Sequence, residues 1–397
     1  MKTSLNAVAL AQFKFREMFR GTPVLFRAPG RVNLIGEHTD YNDGFVMPAA
    51  IGFYTYVAAA PSGDTVLRVY SANFDETREF DLRSLPPGRT GHWSDYVLGV
   101  AAILKSEGHT LRGTNLVISG EVPIGSGLSS SAAIEVSTAY ALLANAGLEL
   151  ERAKIAKLCQ RAENEFTGAR CGIMDQFISC FGEAGHALIL DCRSLESSAL
   201  PIPDDVRIVI CNTKVKHALA GGEYNRRRAQ CEDAVGYFKK SQPDVRALRD
   251  ITMEQLQNQG AGLDEMIRRR CRHVISENAR VQTAADSLRK NDLRRFGELM
   301  YESHASLRDD FEVSCAELDF MVDSAKRVDG VLGARMTGGG FGGCTVNLVQ
   351  SEAVDRFKSE IEHEYKSFIS IDPDIFVCSA VAGAGRVLSD AEAADGC

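Results

Sequence analysis

The chain has 397 residues, 45% of them hydrophobic, which is enough for a sizeable core and about two domains at ~150 residues each. A net charge of −8 excludes bulk attraction to nucleic acid or to an anionic membrane surface. The eleven cysteines are odd in number, irregularly spaced and free of Cys-x-x-Cys pairs, which argues for small core residues in a reduced chain rather than a disulfide framework.

In chain order, residues 1–20 read as a helix, with Val8, Phe13, Phe15 and Phe19 among charges. Residues 22–120 carry short apolar runs and turns and predict mostly strand, as at 52–60 and 65–70. Residues 132–170 predict two helices around Asn145-Ala146-Gly147. Strands follow at 187–191 and 206–211, with Pro201 and Pro203 between them. Residues 225–330 are charged with a helical period, and strand signals return at 344–349 and 375–381. This mixture predicts α+β in both halves, with an N-terminal lobe at 1–185 and a C-terminal lobe at 186–397. The triplets Arg226-Arg227-Arg228 and Arg268-Arg269-Arg270 read as solvated helix faces. No apolar run reaches the ~18 residues of a membrane span, no apolar leader opens the chain, and no His-x-x-x-His pair suggests zinc. The expected location is cytoplasmic, with neither nucleic acid nor membrane as a partner.

Four segments carry chemistry. Residues 27–41 pack Arg27, Arg31, Asn33, Glu37, His38 and Asp40 around Val32, Leu34 and Ile35. Such mixed donors and acceptors suit sugar hydroxyls, and Arg31 can stabilise developing negative charge. The second is Pro123-Ile124-Gly125-Ser126-Gly127-Leu128-Ser129-Ser130-Ser131-Ala132-Ala133, set between a strand-like run and an alanine-rich helix. Glycines let backbone N–H groups approach an anion, the helix start adds positive potential, and the serines can bind phosphate or a metal. It lacks the Gly-Lys-Ser/Thr of a Walker A loop and the third glycine of a dinucleotide fingerprint, so a nucleoside triphosphate is the expected ligand. Third come two isolated acids. Glu163 falls on an apolar helix face with Ile155 and Cys159, and Asp175 interrupts a mostly apolar run. Such carboxylates call for a cation or a function, and Glu163 suits magnesium. Last, Gly338-Gly339-Gly340-Phe341-Gly342-Gly343 excludes regular structure and predicts an ordered, packed loop.

Together these segments resemble the three motifs of the GHMP kinases, the family of galactokinase, homoserine kinase, mevalonate kinase and phosphomevalonate kinase. Residues 30–41 resemble the signature of the galactokinase branch, as do 171–177, 191–195, 223–227 and 303–310; the likeness covers almost the whole chain. The resemblance implies a two-lobed α+β fold, an N-terminal lobe like the second domain of ribosomal protein S5, and an active site between the lobes. It implies ATP- and magnesium-dependent phosphorylation of galactose at the anomeric hydroxyl, by direct in-line transfer, as the entry step of galactose breakdown. Asp175 would be the base and Arg31 the stabiliser. Glu37, His38, Thr39, Asp40, Gly172, Asp175 and Tyr224 would hold the sugar. Ser71, Trp93, Tyr96, Gly125, Ser126, Gly127, Leu128, Ser129, Ser130 and Ser131 would hold ATP, and Ser131 with Glu163 the Mg2+. The implied partners are the two small molecules, and a monomer is compatible with the sequence. The alternatives are an N-acetylgalactosamine kinase of the same family and a non-enzymatic galactose sensor. A sensor of that kind lacks a Ser-Ala pair after the glycines, whereas Ser130-Ser131-Ala132-Ala133 is intact here.

Overall fold

The computed structural model describes residues 6–216 and 220–388. The first five residues of the helix expected at 1–20, Cys397 and the end of the expected C-terminal lobe lie outside the described residues.

The N-terminal half is built on a six-stranded sheet. Its spatial order is Gly385–Arg386, Val24–Asn33, Pro48–Pro61, Thr114–Gly120, Val66–Ser71 and Glu76–Asp81. All neighbours are antiparallel except Val66–Ser71 beside Thr114–Gly120. Period-two alternation sends Phe26 to one face and Leu25 to the other. The helix Ala7–Phe19 covers the Leu25 face through Ala11 and Phe15. The helices Asp95–Ser106, Ser130–Ala146, Arg152–Arg161 and Met174–Phe181 cover the other. The register of Val24–Asn33 slips between Pro29 and Arg31. Gly30 sits in that slip, where a Cβ would lie 2.6 Å from the Leu128 carbonyl. Glycine therefore lets the loop before helix Ser130–Ala146 press against this strand, and the Arg31 N–H donates to the Leu128 carbonyl at 3.1 Å.

The C-terminal half holds a four-stranded antiparallel sheet, ordered Val331–Thr337, Gly342–Gln350, Val206–Lys216 and Asp374–Cys378. Ile208 and Ile210 point into a core shared with Val32, Leu34 and Ile35, so apolar packing is continuous between the halves. Val209 and Cys211 point the other way, toward helices Ala316–Arg327 and Val354–Ile369. Helices Ala220–Lys239 and Glu265–Arg289 build a further core around Phe238, Val274 and Phe311. A small sheet of Phe45–Val46, His186–Asp191 and Ser197–Pro201 bridges the halves. The chain then returns: Gly385–Arg386 pairs with the first sheet, and Ala384 lies in its core.

Three expectations change. The helix Asp95–Ser106 lies in a region read as mostly strand, but Val97, Leu98, Val100, Ala101 and Leu104 follow helical spacing into the core. Gly342 and Gly343 open a strand instead of prolonging a loop, because pairing with Val206–Lys216 fixes their backbone. The basic triplets are not uniformly solvated. Arg227 and Arg270 are buried, donating to the Phe311, Glu312 and Asp310 carbonyls.

Candidate functional site

The short helix Met174–Phe181 is pinned in the core by Met174, Phe177 and Ile178. That leaves Asp175, on its first turn, aimed back at the Gly30 slip. Arg31 meets it with a two-pronged ion pair, Nε to Oδ1 at 2.8 Å and Nη2 to Oδ2 at 2.9 Å. The third donor of Arg31, Nη1, reaches the Gly127 carbonyl at 2.6 Å. The Ser129 hydroxyl donates to Asp175 Oδ2 at 2.5 Å. Although burial opposes the charge, Asp175 and Glu37 raise the pKa of the Arg31 guanidinium above its ordinary value. The Asp175 side chain keeps 22% exposure, so a ligand can reach it.

This pair lines a cavity of about 410 Å³. On one side stand Glu37, His38, Asp40 and Tyr224. Glu37 is tied across 301 residues of sequence to the glycine segment at 338–343, accepting from the Gly338 N–H at 2.7 Å. His38 has φ +63° and bonds the Tyr41 hydroxyl through Nδ1 at 2.8 Å. Burial pushes its pKa down to about 3, so the ring is neutral. Burial, with Asp175 adding to it, pushes Asp40 up to about 7. Gly172 packs on Asp40 rather than lining the cavity; a Cβ there would sit 2.1 Å from Asp40 Oδ2. Thr39 is turned inward, its hydroxyl bonded to the Gly36 and Phe45 carbonyls, and it does not line the cavity.

Asp40 carries a testable pH dependence. Its carboxyl gives up its proton near pH 4 in the unfolded chain but near 7 when folded. Between those values the folded state binds more protons, so this group lowers stability as pH rises through the window. Asp40→Asn removes that dependence. The Tm difference, variant minus parent, is expected to grow between about pH 4 and pH 7 in ligand-free melts. A constant difference would contradict it.

On the other side of the cavity lie Tyr96, Gly125, Gly127, Ser129, Ser130, Ser131 and Glu163. Ser126 and Leu128 turn away from it. Ser126 donates to the Pro123 carbonyl at 2.8 Å, and Leu128 is buried in the core. The Glu163 carboxylate sits on a π-turn, Ala162–Thr167, that continues helix Arg152–Arg161. It accepts from Gln176 Nε2 at 2.6 Å and from the Ser131 and Cys171 side chains, all neutral groups. Gln176 also donates to the buried Glu135 at 3.0 Å. Among the described residues no group of three His, Cys, Asp or Glu side chains is arranged to hold a metal ion. A cation at Ser131 and Glu163 would therefore complete its shell from a ligand.

Ser130 and Ser131 also border a second, smaller cavity of about 100 Å³, lined by Ser71, Trp93 and Tyr96. Phe74 and Ile124 line it too, although 50% and 59% exposed, and Phe74 stacks on Trp93 at 5.9 Å. Asn73 closes one edge, exchanging hydrogen bonds with the Gly120 backbone at 2.8 Å in both directions. A flat apolar slot beside a glycine loop suits a nucleobase. The sequence reading missed Phe74 and Ile124; large apolar residues placed in polar turns were the available signal.

Comparison with known proteins decides the family. Residues 14–61 match the galactokinase galactose-binding signature, 95–183 the GHMP kinases N terminal domain and 284–367 the GHMP kinases C terminal domain. A galactokinase of Chloroflexus aggregans is 47% identical over 95% of this chain and 97% of its own. One from Roseiflexus sp. is 45% identical, with 93% and 94% covered. The chain belongs to the galactokinase family. As a member of that family it is an ATP-dependent sugar kinase with the GHMP fold. The crystal structure of Lactococcus lactis galactokinase complexed with galactose superposes with a TM-score of 0.92 at 37% identity, covering 96% of this chain and 99% of that one. Methanococcus jannaschii mevalonate kinase, 20% identical with a TM-score of 0.64, shares the fold. Within this galactokinase-family chain, Arg31, Glu37, His38 and Asp40 fall in the galactose-binding signature. Glu163 and Asp175 fall in the N terminal domain match, whereas Tyr224 lies outside all three matched regions.

Proposed function

We propose that this enzyme transfers the terminal phosphoryl group of ATP to the anomeric hydroxyl of α-D-galactose, giving galactose 1-phosphate. One observation carries the reading. The Arg31–Asp175 pair stands in a single cavity where the serine-glycine loop meets the Glu37, His38 and Asp40 cluster. Galactose occupies the side of that cluster and Tyr224. The triphosphate runs along the loop to the start of helix Ser130–Ala146, with the base in the slot of Ser71, Phe74, Trp93, Tyr96 and Ile124.

Phosphoryl transfer needs positioning and charge neutralisation more than covalent help. In the proposed step a sugar O–P bond forms as the bond from phosphorus to the ADP oxygen breaks. The hydroxyl proton passes to Asp175. Held by its ion pair with Arg31, that carboxylate orients the hydroxyl first and takes the proton late, as the O–P bond forms. Arg31 faces the charge that develops. Ser131 and Glu163 fit a magnesium ion, since Glu163 is a buried carboxylate with only neutral hydrogen-bond donors; bound there, it would neutralise phosphate charge. Glu163→Gln is expected to raise the magnesium concentration for half-maximal rate at least about tenfold. An unaltered titration would make Glu163 a purely structural acid.

No helix among the described residues is long and apolar enough to cross a membrane. The ten cysteines among them are free. Free thiols suit a reducing compartment, and the proposed location is the cytoplasm.

The test is ATP turnover with magnesium across galactose, N-acetylgalactosamine, glucose and talose. The reading expects the fastest turnover on galactose, with the 1-phosphate as product. A preference for N-acetylgalactosamine would change the substrate. No turnover, with galactose still raising the Tm in the presence of ATP, would make the protein a sensor.

A further inference from the structure

Ser129 occupies the position that caps helix Ser130–Ala146, yet it does not cap it. Its side chain accepts no hydrogen bond from the helix, although serine is a favoured residue for that task. Its backbone lies in the left-handed region, at φ +62° and ψ +45°. For a non-glycine residue that conformation is costly, and it persists only where surroundings hold it. Two local losses thus accompany one gain. The freed hydroxyl, on a residue 8% exposed, donates to Asp175 Oδ2 at 2.5 Å. The two residues before it serve the same pair. The Gly127 carbonyl accepts from Arg31 Nη1, and the Leu128 carbonyl accepts from the Arg31 N–H.

We infer that Ser129 is a positioning residue for Asp175, clamping from the glycine-serine loop the carboxylate that Arg31 also grips. The sequence placed Ser129 among the phosphate-binding residues; the geometry gives its hydroxyl to the carboxylate instead. Asp175 Oδ2 is then doubly held, by Ser129 and Arg31 Nη2, whereas Oδ1 has the single bond to Arg31 Nε. The less encumbered Oδ1 is the oxygen left for the sugar hydroxyl. The clamp also couples the two substrates mechanically, because the segment that cradles the triphosphate fixes the group that meets the sugar.

This inference rests on the reading of Asp175 as the group that orients the sugar hydroxyl, and a double-mutant cycle separates the two. Ser129→Gly removes the hydroxyl and relieves the left-handed backbone, so it is expected to keep or raise Tm. Its kcat is expected to fall about 10- to 100-fold, the scale of a hydrogen bond to a charged group, with KM for ATP changing less than about threefold. Ser129→Ala, which keeps the strain, should match it in kcat and fall below it in Tm. In an Asp175→Asn background, Ser129→Gly should cost no more than about threefold further, because the two act as a unit. A raised KM for ATP with unchanged kcat would overturn the inference and return Ser129 to phosphate binding, as would a full additive loss. If Asp175→Asn itself leaves kcat intact, the underlying reading fails first.

Discussion

Asp175→Asn is expected to lower kcat about 10²- to 10⁴-fold, the range that a positioned acid–base group contributes. The substitution keeps the shape and one acceptor oxygen while removing the charge and replacing the other oxygen with an NH2 donor. Arg31 then faces an amide in place of the carboxylate it pairs with at 2.8 and 2.9 Å. Since Arg31 has further partners in the Gly127 carbonyl and the neighbouring Glu37, the fold should survive with a modest loss of Tm. ATP binding should be largely retained, because the loop keeps its anchors to Arg31 at the Gly127 and Leu128 carbonyls and Asp175 does not line the slot around Trp93. Asp175→Ala serves as the harsher comparison. It leaves a nearly buried guanidinium without its ion-pair partner, a change that costs about 3–5 kcal/mol where burial is complete. Steady-state kinetics with thermal melts on both variants check the expectation. A kcat within threefold of the parent for Asp175→Asn would remove this residue from the chemistry.

The second large effect is expected at Arg31. Its planar fork spends two donors on Asp175 and a third on the Gly127 carbonyl. A lysine supplies the charge but cannot reproduce three fixed directions at once. Arg31→Lys should therefore keep most of the Tm and lose about 10²- to 10³-fold in kcat, comparable to removing a donor from a transition-state anion site. Arg31→Ala should lose the same activity and also unfold at lower temperature, since Asp175 and the loop both lose a partner. Equal kcat for Arg31→Lys and the parent would show that charge alone suffices and that the fork geometry is incidental.

Much of the site was legible because its signals are local. A glycine-serine loop between strand and helix, and a lone carboxylate in an apolar run, stand out within a dozen residues. Where directions depend on distant contacts, spacing misled. Thr39 sits between two cavity residues in sequence, but the left-handed turn at His38 sends its hydroxyl to the Gly36 and Phe45 carbonyls. Gly172 acts by what it omits, since Asp40 fills the space a side chain would need. Arg227 and Arg270 looked like surface charge because their partners, the Asp310, Phe311 and Glu312 carbonyls, come from a turn some 40 to 85 residues later. The slot of Phe74 and Ile124 forms only when two strand ends and a helix converge, and no window of sequence contains all three. The helix Asp95–Ser106 was hidden by its neighbours, for its one apolar run sits at the end of a long stretch of short strand-like runs and turns.

The most direct test of the account is the stereochemical course at phosphorus, using ATP made chiral at its terminal phosphoryl group and galactose as acceptor. Asp175, held by Arg31 and Ser129 beside the proposed sugar site, predicts one direct in-line displacement, and so net inversion. Net retention would mean two displacements through a phosphorylated enzyme, and would contradict direct transfer between the two substrates.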